Sequence, residues 1–346
     1  MRQLIYPLAA ALIVAGPVSA SDNWGDAKAS YPNDPEYAAS KAICRRLGKP
    51  QAPPADRPTP AQVRALKGCD SEALYYGEKL PVDYAKARQC ALIEAQGDDE
   101  TAFAGSTILM QIYANGRGVA RDLDLATAYA CQVDGSAFDV DARIRRLQAI
   151  KSKPAAFDYC DGVSSDWSIA QCMARDSRAA AVRRDARIAA LIGRLPRPAR
   201  AAYPPLQAAL NAFVEAHGHT EFDDAGTSGD FLAIGEEDSI RDQFEKDLRR
   251  LAGGDWPGAT AADVRAADTA LNASYRKALA DSAKADLDYQ TGKAGKLRAA
   301  QRAWIAYRDT YVRFAALAAP GLSVDAVTAR LTRLRTAQLD DMLRDK

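Results

Sequence analysis

The chain has 346 residues, 46 basic and 45 acidic, with 48% hydrophobic and 26% charged residues, two histidines and six cysteines. So even a charge balance leaves no electrostatic footprint for nucleic acid or an anionic membrane, and sequence reasoning sets both partners aside. The apolar fraction and length allow about two domains, each with its own core.

The first segment, "MRQLIYPLAAALIVAGPVSASDNWG", reads as a cleavable signal peptide: Arg2, a short apolar run, then Val18-Ser19-Ala20 as a small-x-small site. Cleavage is expected after Ala20, giving a periplasmic or secreted protein. Pro7 and Pro17 bracket a run too short to span a bilayer, and no cysteine follows it to take a lipid anchor. No membrane span is expected in the mature chain. Beyond residue 20, alanine-rich stretches with apolar residues at helical spacing dominate and strand signals are nearly absent, so the fold class is all-α. Residues 21–59 are expected to hold an N-terminal helix and a proline-rich linker.

An even number of cysteines in an exported chain reads as disulfides. Cys160 and Cys172 are close in sequence and isolated from the rest, which pairs them with each other. Cys44 and Cys69 flank the turn "GKPQAPPADRPTP" at similar distances, as on an antiparallel helix pair, leaving Cys90 with Cys131. The alternative is Cys69 with Cys90, symmetric about "GEKLP". A zinc site lacks the CxxC or Cys/His spacing it needs, and no cofactor is expected.

Residues 60–150 contain an internal repeat. "GEKLPVDYAKARQCALIEAQGD" aligns with "GRGVARDLDLATAYACQVDGSA", pairing Gly77 with Gly116, Asp83 with Asp122 and Ala87 with Ala126. The period, 39 residues from Gly77 to Gly116, is one that marks helix-turn-helix arrays. Each unit offers a glycine turn, an acidic cap for the next helix, and an alanine where two helices approach closely. "LMQIYANGRGVARDLDLATAYA" resembles the Sel-like repeat, a relative of the tetratricopeptide repeat, through its Tyr, Gly-x-Gly-Val, Asp and Ala. The resemblance implies a binding or scaffolding surface; stacking without a ligand is the plainer alternative. In the first unit Glu78-Lys79-Leu80 replaces the second half of the turn motif, so that turn is expected to be rebuilt.

In the C-terminal half, Leu271, Tyr275, Ala278 and Leu279 form one helical stripe. Leu297, Ala300, Trp304, Tyr307, Tyr311 and Phe314 form another, and the two segments are expected to pair. Gln301 and Arg308 flank the second stripe, while Arg298, Arg302 and Arg313 point to water, with Asp309 placed to pair with Arg313. Ala267, Asp268, Leu271, Asn272 and Tyr275, followed by Ala300, Gln301, Ala303, Trp304, Tyr307, Arg308 and Asp309, resemble the LprI family of secreted lysozyme-inhibitor-like domains. In that family a pair of cysteines a dozen residues apart precedes these elements, as Cys160 and Cys172 do here. The resemblance implies a non-enzymatic binding protein whose partner is a lysozyme-like muramidase.

The cysteines lie almost a hundred residues before Asp268, too far for one copy. "LQAALNAFVEAHG" repeats "LRAAQRAWIAYRD" at a shift of 91, pairing Leu206 with Leu297 and Phe213 with Trp304, while Asp185 and Ile188 correspond to Asp268 and Leu271. The half therefore reads as a tandem, with a degenerate copy over 158–255 and an LprI-like domain over 256–346. The degenerate copy carries Ala189, Leu210 and His217 where the second has Asn272, Gln301 and Arg308. Asp268, Asn272, Gln301 and Arg308 are expected to form a hydrogen-bonded network over Trp304 that fixes helix docking; a recognition patch is the functional alternative.

From Gly218 to Ile240 there are seven acidic residues and no Lys or Arg. This stretch is expected to be a loop, and Asp223, Asp224, Asp230, Glu236 and Glu237 are the candidate binding patch, steered by charge toward a basic muramidase. A solvated connection is the alternative. Catalysis has little to stand on. His217 and His219 with Glu221, Asp223 and Asp224 form a weak metal pattern. Ser274 and Lys277 have SxxK spacing but no accompanying Lys-Thr-Gly element. Two readings remain: a muramidase inhibitor acting through the C-terminal half, or a periplasmic adaptor gripping a partner protein with its Sel-like repeats.

Overall fold

The computed structural model describes residues 23–26, 34–78, 80–97, 102–152, 155–221, 229–289 and 292–344. These residues form thirteen α-helices and no strand, in agreement with the all-α expectation. None of the helices is long and apolar enough to cross a membrane. The chain divides into two compact units, residues 1–165 and 166–346.

Unit 1 is built from short helices: α1 (Ala38–Leu47), α2 (Pro60–Ala65), α3 (Ser71–Tyr76), α4 (Tyr84–Glu94), α5 (Ser106–Asn115), α6 (Leu123–Ala130) and α7 (Ala137–Ser152). Side-chain caps fix the starts of α2, α3, α4 and α6. Thr59 forms a capping box with Gln62, and Asp70 accepts from the Ala73 amide at 2.9 Å. The paired positions of the two aligned segments make matching local contacts. Gly77 and Gly116 both adopt the left-handed conformation that ends α3 and α5. The Asp83 amide donates to the Leu74 carbonyl at 2.9 Å, as Asp122 does to Tyr113 at 3.0 Å. Asp83 then caps α4 through Lys86 and Asp122 caps α6 through Leu125, while Ala87 and Ala126 are fully buried where helices meet.

The disulfides correct part of the sequence reading. Cys44 is bonded to Cys131 and Cys69 to Cys90, so the expected Cys44–Cys69 and Cys90–Cys131 pairs are not formed, and the alternative Cys69–Cys90 is. The proline-rich segment does not fold α1 back onto α2. Instead α1 packs on α6 and α7, which brings Cys44 to the end of α6, while Cys69 in the α2–α3 connection faces Cys90 of α4. Cys160 and Cys172 are also disulfide-bonded, and no free cysteine remains.

Unit 2 holds six long helices: α8 (Asp166–Gly193), α9 (Arg197–Glu221), α10 (Gly229–Gly253), α11 (Ala261–Tyr289), α12 (Lys293–Ala318) and α13 (Val324–Arg344). α8 and α10 run parallel: Arg184 reaches Asp238 and Asp242 at 3.1 and 2.9 Å, and Arg187 reaches Glu245 at 2.6 Å. α11 and α13 are parallel too, with Ser274 donating to Asp340 at 2.6 Å and Arg333 meeting Asp263. Between these pairs α9 and α12 lie antiparallel, Phe213 stacked on Tyr307 at 5.8 Å and Tyr203 against Phe314. The expected pairing of α11 with α12 exists, but the chief partner of α12 is α9 and that of α11 is α13. The anticipated stripe is the core: Leu297, Ala300, Trp304, Tyr307, Tyr311 and Phe314 are all buried, with Trp304 only 2% exposed.

The acidic stretch 218–240 is not simply a loop. Its later part is helical from Gly229, because Ile240, Phe244, Leu248 and Leu251 recur at helical spacing and bury one side of α10.

Candidate functional site

The buried contact among α9, α12 and α13 gathers the polar residues of unit 2. Arg335 stands in the stripe Val327, Leu331, Arg335, Leu339 on α13 and is fully buried. Its guanidinium donates to Gln301 Oε1 at 3.1 Å, approaches Gln338 and His217 Nδ1 at 3.4 Å, and lies 5.4 Å above the Phe213 ring. His217, also buried, has its other ring nitrogen 3.7 Å from Glu236 of α10. A planar, permanently charged fork suits this place because it keeps several neutral acceptors in fixed directions.

The motif residues divide around this contact. Gln301 belongs to it, and Arg308 lies over the Trp304 ring at 5.1 Å. Leu271 and Tyr307 are core, Tyr275 packs beside them, and Asp268 is half-buried. Asn272 departs from the expected network. It is exposed on α11, because the inward face of that helix is taken by Ala267, Leu271, Ser274 and Ala278. Asp309 pairs with the adjacent Arg308 at 2.8 Å, while Arg313 bonds Thr310 instead. Arg335 was missed by sequence reasoning; the available signal was a lone arginine within an apolar stripe.

On the far side of α12 the chemistry is aromatic. Phe244 packs on Tyr307 and Tyr311, and Tyr311 meets Trp256. Asp247 of α10 is buried here and pairs with Arg330 at 2.6 Å. Burial pushes its carboxyl above the usual range, with Arg330 pulling the other way. Burial likewise raises both tyrosine hydroxyls.

Of the acidic patch, Glu236 and Glu237 stand half-buried on α10 beside the end of α9. Gly218 permits this approach, since a Cβ there would fall 2.7 Å from the Glu237 carboxylate. Asp230 is the second residue of α10, and Asp223 and Asp224 lie outside the described residues. Of the metal pattern only the His217 side chain is among those described: it is on α9, inside the core and engaged with Arg335. Ser274 is buried and bonded to Asp340 whereas Lys277 is exposed, so the SxxK spacing makes no joint site. Among the described residues the sole metal-type group is Cys69, Cys90 and Glu94, whose sulfurs are bound to each other.

No solved structure matches the chain significantly. An uncharacterized protein of Rhizobium meliloti (strain 1021) is 39% identical over 92 residues, 23% of this chain, and the chain spans 66% of that relative's length. Residues 258–339, which run from just before α11 to Leu339 of α13, match the model of the family described as "Lysozyme inhibitor LprI".

Proposed function

We propose that this is an exported, non-enzymatic protein of the bacterial cell envelope that binds a lysozyme-like muramidase through unit 2. The observation that carries the reading is the LprI match over 258–339, in which the aromatic stripe around Trp304 is one packed core. Disulfide bonding at every cysteine fits an oxidising compartment, and a signal peptide cleaved after Ala20 accounts for delivery. The motif residues Asp268, Leu271, Tyr275, Gln301, Trp304, Tyr307 and Arg308 are assigned a structural role, and the exposed Asn272 none. The contact patch is assigned to Asp223, Asp224, Asp230, Glu236 and Glu237.

We further propose that α8–α10 is a degenerate second copy of α11–α13. The first and third helices of each trio are parallel, and the middle helices meet each other antiparallel, as two copies related by a two-fold axis would. The shift of 91 that relates α9 to α12 also places the buried Ile240, Phe244 and Leu248 on the buried Leu331, Arg335 and Leu339. In the degenerate copy Phe244 thus stands where its counterpart has Arg335.

The test is a titration of oxidised residues 21–346 against a c-type lysozyme at low and physiological salt, following cell-wall lysis and direct binding together. Salt-sensitive inhibition, weakened about tenfold or more by Glu236→Lys with Glu237→Lys, is the expected result. Absence of binding at both salt concentrations overturns the inhibitor assignment for that enzyme and directs attention to the repeats of unit 1 as a protein-binding surface.

A further inference from the structure

The overall charge balance conceals a segregation within unit 2. Residues 221–247 carry ten acidic and two basic residues, whereas residues 261–318, spanning α11 and α12, carry ten basic and six acidic. Several carboxylates of the latter span are already occupied. Asp286 caps α12 through the Lys293 and Ala294 amides at 2.6 and 3.0 Å, Asp309 holds Arg308, and Asp263 meets Arg333. By contrast Arg276, Lys284, Arg298 and Arg302 are exposed and form no ion pair among the described residues. The arginines that bridge helices in unit 2, Arg184, Arg187 and Arg330, are paired with carboxylates.

These cations are ordered. On α11, Arg276 and Leu287 are three turns apart on one outward face, with Lys284 one turn from Leu287. On α12, Arg298, Arg302 and Ile305 follow at spacings of four and three, opposite the buried stripe. Leu287 is 86% exposed, more than any other large hydrophobic residue described, and Ile305 is 40% exposed. α11 and α12 are in contact, and each presents outward an unpaired set of cations beside a bare aliphatic side chain.

We propose that the outward faces of α11 and α12 dock on an anionic lipid bilayer. Unpaired Lys and Arg are attracted to phosphate headgroups, and interleaved Leu287 and Ile305 can enter the headgroup–acyl boundary. A soluble polyanion would answer the cations and leave Leu287 in water. The inference is independent of the muramidase reading, because a basic enzyme is repelled by this face.

The experiment is co-sedimentation of oxidised residues 21–346 with vesicles of phosphatidylcholine, with and without phosphatidylglycerol. Three forms are compared: wild type, Arg298→Gln with Arg302→Gln, and Leu287→Ser. All three changes are at exposed sites, and circular dichroism with thermal unfolding verifies that each variant folds. The proposal expects binding to phosphatidylglycerol vesicles only, weakened by salt and by about fivefold for each cation removed. It also expects Leu287→Ser to weaken vesicle binding without altering affinity for soluble polyglutamate. Absence of binding at low salt, equal binding to neutral vesicles, or capture by polyglutamate with none by vesicles each overturns it.

Discussion

Units 1 and 2 reach a folded state by different means. α2 and α3 have six residues each, far below the length at which a helix holds itself together in water. Unit 1 compensates through Thr59, Asp70, Asp83 and Asp122 as caps, left-handed glycines as stops, and the Cys44–Cys131 and Cys69–Cys90 cystines. In unit 2, α11 runs for 29 residues and α13 for 21, and order comes from continuous buried stripes with arginine fastenings. The difference teaches where each unit is vulnerable: the first at its covalent and capping points, the second in the middle of its core.

The strongest way to break the comparison is at Cys44–Cys131, which closes a loop with a sequence separation of 87. Replacing both with Ser is expected to destabilise unit 1 by about 4–5 kcal/mol, the chain-entropy value for a loop of this size. Trp24 reports the change, since it is buried and its amide donates to the Cys131 carbonyl at 2.9 Å. Hydrogen exchange resolved by segment is expected to show lost protection in α1 and α6 and none in α12. Equal loss in both units would end the view that they are stabilised separately.

Trp304→Ala attacks the other side of the comparison. The side chain lies in the packed centre of unit 2 beneath Arg308, so truncation leaves a cavity and is expected to cost about 3–5 kcal/mol in unit 2. Chemical denaturation followed by far-UV circular dichroism measures this. Unchanged stability with lost partner binding would instead make Trp304 an interface anchor.

The same contrast explains what could be read from the sequence. The α12 stripe was legible because a helix buried along its length writes its period into every third or fourth residue. The turns and caps of unit 1 were legible because Gly77, Asp83 and Ala87 each answer a local need, as Gly116, Asp122 and Ala126 do. Long-range choices were not written that way. Cys44 could meet Cys131 only because α1 lies on α6, and no local pattern specifies that. Arg335 was hidden for a related reason: its partners Gln301, His217 and Phe213 come from two other helices. The acidic stretch misled because its charges outnumber the few apolar positions that make α10 a helix.

Acid sharpens the comparison by the smallest amount but with opposite signs in the two units. In unit 1, burial acts to raise the Asp139 carboxyl, yet hydrogen bonds from the hydroxyls and amides of Ser164 and Ser165 hold it down to about 2, below its ordinary 3.8. A depressed carboxylate stabilises the fold above its unfolded value and stops doing so as pH falls through its folded one. Asp139 therefore contributes about 2 kcal/mol at neutral pH that is lost between about pH 4 and pH 2. In unit 2, Asp247 is raised by burial, so the fold binds its proton more tightly than the unfolded chain does and the same titration adds stability. Thermal unfolding of wild type and Asp139→Asn across this range is expected to show a gap that closes as pH falls. In Asp247→Asn the acid-dependent gain of unit 2 is expected to disappear. A gap for Asp139→Asn that persists at pH 2 would mean that its bonds to Ser164 and Ser165 matter for their shape and not for their charge.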